Sequence, residues 1–268
     1  MPSRRPAEPA GRRPRANASR REPTGGAGPL GHLATASSRS AILAILTSRI
    51  PSCQNRYVTG QRTYGGVSAD ERRAQRRAAL LSAALEIIGT QGLEKLTVAG
   101  LCAEAGLNER YYYEQFDSRD AVLTALFDEI ATELAAAVTR DVSQTRGDTR
   151  ATARAAIAAG IGVLTDDPRK ARVALIISAA TPQLRARTAA TNTAFAALVA
   201  TQGVDFFGLG AAEANPAISF RATYLVGGLV QALTSWLHGD LPMTRDELVE
   251  HITDVFVLLG EDLVHPRD

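Results

Sequence analysis

The chain has 268 residues, 45% of them hydrophobic, enough to bury a core of one or two domains and too apolar for a protein disordered throughout. Its formal net charge of +2 hides an uneven spread, because residues 1–66 hold 11 of the 30 basic side chains and only 2 of the 28 acidic ones. Two cysteines, Cys53 and Cys102, in neither a CxxC nor a Cys/His spacing, exclude a disulfide framework and a zinc site, and fit a reducing, cytoplasmic setting with no metal and no cofactor.

Residues 1–66 read as a basic, disordered tail. The first 40 are dense in Pro, Gly, Ala, Ser and Arg and show neither helical nor strand periodicity. The tail is a basic arm adding non-specific phosphate contacts, or an inert tail, or a reading frame whose true start lies downstream, for example at Val58 or Val67. The apolar run Ala41–Leu46 is far short of the roughly 20 residues that span a bilayer, so no membrane partner is expected. The Arg-Arg pairs at 4–5, 12–13 and 20–21 lead into no proper apolar region, which argues against export.

Order is expected from Ser68, where "SADE" has the spacing of a capping box. Leu81, Ala84, Leu85 and Ile88 then recur on one face of a helix, and "TQGL" stops it, with Gly92 placed for a left-handed conformation. Two short helices follow. Thr97 caps the first, Gly106 breaks it, Leu107 plugs the turn and Asn108 caps the second, a helix-turn-helix pattern whose second helix suits the major groove. That second helix contains three consecutive tyrosines, and successive helix positions lie 100° apart, so they cannot share a face. Tyr112, four residues before Phe116, should enter the core, while Tyr111 lies toward the groove.

Base reading belongs to the N-terminal part of this helix. Arg110 can fork onto guanine O6 and N7, Glu109 or Glu114 can accept from cytosine N4, and Asn108 belongs to the same DNA-facing set. Arg72, Arg73, Arg76 and Arg77, paired at i, i+4 on adjoining faces, are expected to position the backbone.

The stretch Ala78–Val122, with "ALEIIGTQGLEKLTV", "AEAGL" and "YYYEQFDSRDAV" in that order and spacing, resembles the N-terminal domain of the TetR (tetracycline repressor) family of bacterial transcription regulators. The resemblance implies phosphate contacts at Tyr113, Thr97 and Arg119. It departs from the family at Gly100, where an acid commonly completes a capping box, and residues 67–120 are not basic overall, with 7 basic and 9 acidic side chains.

Beyond Ser118 the chain reads as about six alanine-rich helices with breaks at "SQTRGDT", "TDDP", "TQGVD", "AEANP" and "HGDLP". No segment alternates in strand fashion, so the fold is expected to be all-α: a helix-turn-helix domain at 67–120 and a helical effector-binding and dimerisation domain at 121–268. The last two helices, 217–238 and 245–263, carry wide apolar faces suited to a four-helix bundle with a second copy, and a palindromic operator demands such a dimer. The Gly227-Gly228 pair is expected to mark close packing of a neighbouring helix. The resemblance also places the dimer contact on these helices and a small-molecule pocket among the middle ones. Arg172, Ser178, Thr191, Asn192, Gln231 and Trp236 are the polar candidates for that pocket.

Together these readings describe a homodimeric, sequence-specific DNA-binding regulator, a repressor released by a small-molecule effector. Two alternatives come from other classes. One is a non-specific DNA binder relying on the basic tail; the other is an all-α enzyme built on Glu247 with His251 and His238 with Asp240, which falls short of the three ligands metal catalysis usually needs.

Overall fold

A computed structural model describes residues 68–145, 148–207 and 216–264, and the tail expected at residues 1–66 lies outside them. The described chain is helical, with no strand among these residues. In order come α1 (Ala69–Thr90), a 3₁₀ turn (Leu93–Lys95), α2 (Val98–Ala105), α3 (Glu109–Tyr113), α4 (Arg119–Gln144), α5 (Thr149–Thr165), α6 (Pro168–Ala171), α7 (Pro182–Phe207), α8 (Pro216–Leu237) and α9 (Arg245–Val264). No helix among the described residues is long and apolar enough to cross a membrane.

The caps fall where side-chain chemistry demands. Ser68 Oγ accepts from the Glu71 N–H at 3.1 Å, and the Glu71 carboxylate accepts from the Ser68 N–H at 2.6 Å, completing the box at the start of α1. Thr97, Asn108, Ser118 and Asp148 cap α2, α3, α4 and α5 in the same way, each accepting a backbone N–H three residues on. Gly92 has φ 99° and ψ 163°, a positive φ as expected but with an extended ψ rather than the left-handed helical one. Gly106, at φ 64° and ψ 32°, does take the left-handed helical conformation and turns the chain from α2 to α3.

One continuous core joins the first three helices to the rest. Leu80, Ile88, Leu96 and Leu101 pack with Tyr112, Phe116 and the first turns of α4, and the cluster runs on through α5 and α6 to α9. A second cluster lies between α7 and α8, where the small side chains of Ala196, Ala200 and Ala222 let the two helices approach.

The breaks differ from expectation at two places. "TQGVD" does not end a helix: α7 continues through Gly203 to Phe207. One interior glycine costs a helix about 1 kcal/mol, which is offset by Val199 and Val204 against the second cluster and by Phe207 against Phe256. An unexpected break comes at Thr181-Pro182. Before it, the chain passes from α6 into a π-helical turn at Arg172–Ile176 and a 3₁₀ turn at Ile177–Ala179. Pro182 lacks the N–H a continuing helix would use, and Thr181 Oγ1 accepts from the Leu184 N–H at 3.2 Å, so a new helix starts.

The Gly227-Gly228 pair does not meet a neighbouring helix of the same chain. Both residues are exposed, and nothing lies within 4 Å of where a β-carbon would stand. They share the outer side of α8 with Phe220 and Tyr224, two stacked rings that are 70% and 64% exposed.

Candidate DNA-binding surface and ligand cavity

The turn between α2 and α3 is held by two backbone bonds, from the Gly106 N–H to the Ala103 carbonyl and from the Leu107 N–H to the Cys102 carbonyl. Burial raises the pKa of the Cys102 thiol, which behaves as a core side chain. The three tyrosines diverge as helical geometry requires. Tyr112 is fully buried, Tyr113 is 59% exposed, and Tyr111 is half-buried beneath the Arg76 guanidinium, 4.5 Å from its ring centroid.

That leaves Glu109, Arg110, Tyr113 and Glu114 exposed along α3, with Asn108 at its start, Thr97 at the start of α2 and Arg119 at the start of α4. Arg110 does not stand alone: its Nε donates to Glu114 Oε1 at 3.2 Å. The four arginines of α1 also separate. Arg77 lies over the Phe116 ring, 4.6 Å from its centroid, and Arg76 over Tyr111, whereas Arg73 is exposed and Arg72 half-buried. Two of the four therefore brace the aromatic side of α3 rather than extending the i, i+4 ladder outward.

A cavity of about 210 Å³ lies behind this domain, enclosed by α4, α5, α7, α8 and α9. Its wall on α4 comes from Phe127, Ile130, Leu134, Val138 and Val142, which follow the helix away from its cap beside the helix-turn-helix. Among the described residues, the only polar side chains on its wall are Thr191, Asn192 and Gln202, all from α7. Gln202 stands eleven residues after Thr191, three helical turns along the same face, and that spacing is the signal that would have found it. The apolar lining carried no mark to separate it from ordinary core.

Thr191 and Asn192 thus sit where a pocket was expected, and the other four polar candidates are engaged elsewhere. Arg172 is exposed, with Nη1 3.5 Å from the Gly89 carbonyl oxygen. Ser178 is buried in the 3₁₀ turn, where its carbonyl accepts from Thr188 Oγ1 at 3.4 Å. Gln231 is exposed and donates to Ser235 Oγ at 3.2 Å, while Trp236 Nε1 donates to the Met243 carbonyl at 2.8 Å and fastens the turn between α8 and α9. Of the residues considered for an enzyme, Glu247 has a structural duty. Glu247 Oε2 accepts from the Thr244 N–H at 2.7 Å in the capping box of α9, bonds that hold its carboxyl below the ordinary glutamate range, and His251 is exposed a turn later.

Cavity and DNA-facing domain meet at α6. Arg169 donates to Asp167 at 2.8 Å and also pairs with Glu86 of α1, and its aliphatic stem lies so close over Gly89 that a β-carbon there would overlap it. Five residues after Arg169, Ala174 in the π-helical turn lines the cavity.

Residues 80–126 match the family of bacterial regulatory proteins described as tetR. This segment carries a TetR-family helix-turn-helix domain. No curated protein matches the sequence. Among solved structures, a TetR-family regulator from Syntrophomonas wolfei is similar over 72% of this chain and 99% of its own, with a TM-score of 0.60 at 12% identity. The fatty acid degradation regulator FadR from Bacillus halodurans is similar over 68% of this chain and 94% of its own, with a TM-score of 0.58 at 16% identity. FadR from Bacillus subtilis in complex with stearoyl-CoA is similar over 71% and 99%, with a TM-score of 0.53 at 16% identity. At such identities the likeness concerns the fold, an all-α TetR-like arrangement of a helix-turn-helix followed by a helical domain. Gly100, where the TetR-family cap commonly has an acid, leaves Thr97 Oγ1 accepting from the Gly100 N–H at 3.0 Å with no side chain to reach back.

Proposed function

We propose that this TetR-family chain is a homodimeric, sequence-specific transcriptional repressor that leaves its operator when a small, largely apolar molecule occupies the cavity. The observation that carries the reading is that one helix serves both sites. α4 begins at Ser118, against the helix-turn-helix, and its next turns form a wall of the cavity. A ligand that fits only one setting of α4 would shift the equilibrium by its differential affinity, moving paired recognition helices off the 34–36 Å spacing of one DNA turn. The stearoyl-CoA bound to Bacillus subtilis FadR supports a long-chain apolar effector as the class to try first.

In this reading Arg110 reads a guanine, and Thr97, Tyr113, Arg119 and the arginines of α1 hold phosphates. The outer sides of α8 and α9, with Phe220, Tyr224, Val255 and Leu258 exposed, meet a second copy. Selection of bound sequences from random duplex DNA tests it. The expected product is an inverted repeat, and Arg110→Ala should flatten preference at one base pair per half-site, a loss of about 1–3 kcal/mol in discrimination. Enrichment of no motif would sink the sequence-specific reading and favour a binder that depends on the basic first 66 residues.

A further inference from the structure

The cavity walls hold one charged side chain among the described residues, and it stands at one end. Beyond the main cavity lies a smaller one of about 30 Å³, lined by Gly203, Phe207, Ile218, Arg221 and Gly260 among others, and the two share Val199, Leu225 and Phe256 as walls. From Thr191 to Phe207, α7 runs sixteen residues along both, roughly 24 Å at about 1.5 Å per residue. Both spaces are walled mainly by apolar side chains, and Arg221 stands on the wall of the smaller one.

Arg221 is held there by its own chain. It donates to the Leu259 carbonyl and, at 2.6 Å, to Asp262, and its side chain is 23% exposed. Phe256, on the wall of both cavities, lies against Phe207 of the smaller one, with ring centroids 6.2 Å apart. Phe207 rests on Gly260, where a β-carbon would overlap its ring.

We propose that the effector is an amphiphile: an apolar chain that fills the main cavity past Phe256 and an anionic head, carboxylate or phosphate, that takes over Arg221 from Asp262. This rests on the reading of the main cavity as the effector site. An arginine fork suits either head, and a charge-assisted bond at a half-buried site separates an anionic amphiphile from its neutral analogue.

Calorimetric titration of the full chain with dodecanoate, dodecyl phosphate and 1-dodecanol, each below its micelle concentration, tests the proposal. At least one anion should bind about tenfold or more tighter than the alcohol. Which anion gains more tells carboxylate from phosphate. Arg221→Ala should bring the anion down to the level of the alcohol without changing the alcohol. Because Arg221 also ties α8 to α9, a variant that weakens all three alike reports damage to the fold, and Asp262→Asn then decides. Removing the competing carboxylate should tighten the anion several-fold and leave the alcohol alone; no gain for the anion overturns the proposal. Equal binding of anions and alcohol by the unaltered chain overturns it at once. Binding of none of the three removes both the proposal and the effector reading of the cavity. Anion-selective binding with unchanged DNA affinity keeps the head-group site and removes only the release mechanism.

Discussion

Three adjacent tyrosines with three environments give the clearest test at the scale of single residues. The Tyr112 hydroxyl is buried with no hydrogen-bond partner among the described residues, and burial pushes its pKa up. An unpaired buried hydroxyl costs about 1–3 kcal/mol, so Tyr112→Phe should stabilise the chain, raising Tm by about 2–4 °C per kcal/mol recovered. Tyr113→Phe should leave Tm where it is and weaken operator binding, measured by titration of labelled duplex; a Tm drop with full DNA affinity would assign Tyr113 to the fold instead. The burial of Tyr112 was legible in the sequence, since 100° per residue forces three neighbours apart and Phe116 marks the inward side. The lid of Arg76 over Tyr111 was not, because it depends on how α1 crosses α3, a tertiary fact that no local spacing encodes.

Among the helices, glycines with opposite surroundings make opposite predictions. Gly203 lies inside α7 with nothing within 4 Å of a β-carbon, so Gly203→Ala should add about 1 kcal/mol in a chemical melt. Gly260 is covered by the Phe207 ring, so Gly260→Ala should remove about 1–3 kcal/mol by overpacking. The sequence invited a break at Gly203 because glycine next to polar residues looks like a loop; burial of Val199, Val204 and Phe207 decides otherwise. α6 shows the reverse, a short element whose start was legible in "TDDP" but whose π-helical continuation was not. Asp167 caps α6 and bonds Arg169, which holds its carboxyl below the ordinary aspartate value of 3.8. With the folded pKa depressed, its contribution is present above that value and is lost as pH falls through the folded one. Acid unfolding should therefore start from a lower stability and fall less steeply below pH 3.8 in Asp167→Asn than in the unaltered chain. Parallel curves would mean that the pair with Arg169 carries no net stability.

At the level of the whole molecule, the boundary drawn at residue 120 falls one residue after the start of a helix that belongs to both halves. The caps, the helix-turn-helix and the all-α class could be read from the chain because each follows from nearby residues. The cavity could not, since its walls come from five helices and consist of side chains that would equally well fill a core. The Gly227-Gly228 pair gives a test of assembly. Gly228→Ala should favour α8 as an isolated helix by about 1 kcal/mol, yet raise the dimer dissociation constant if a second copy packs there. Sedimentation equilibrium measures the second effect; an unchanged constant together with higher stability would move the dimer contact away from these glycines.

The pairing of Arg110 with Glu114 bears on how such a regulator searches a chromosome. If Arg110 reads a base as proposed, its counterion Glu114 would leave non-cognate DNA little to pull on, and the tip of α3 would add little to indiscriminate affinity, which comes from uncompensated positive charge. Only a base edge that offers two acceptors in the right plane would then replace what Glu114 already provides. On that proposal, sliding past wrong sequences would stay fast, and stopping would be left to the correct one.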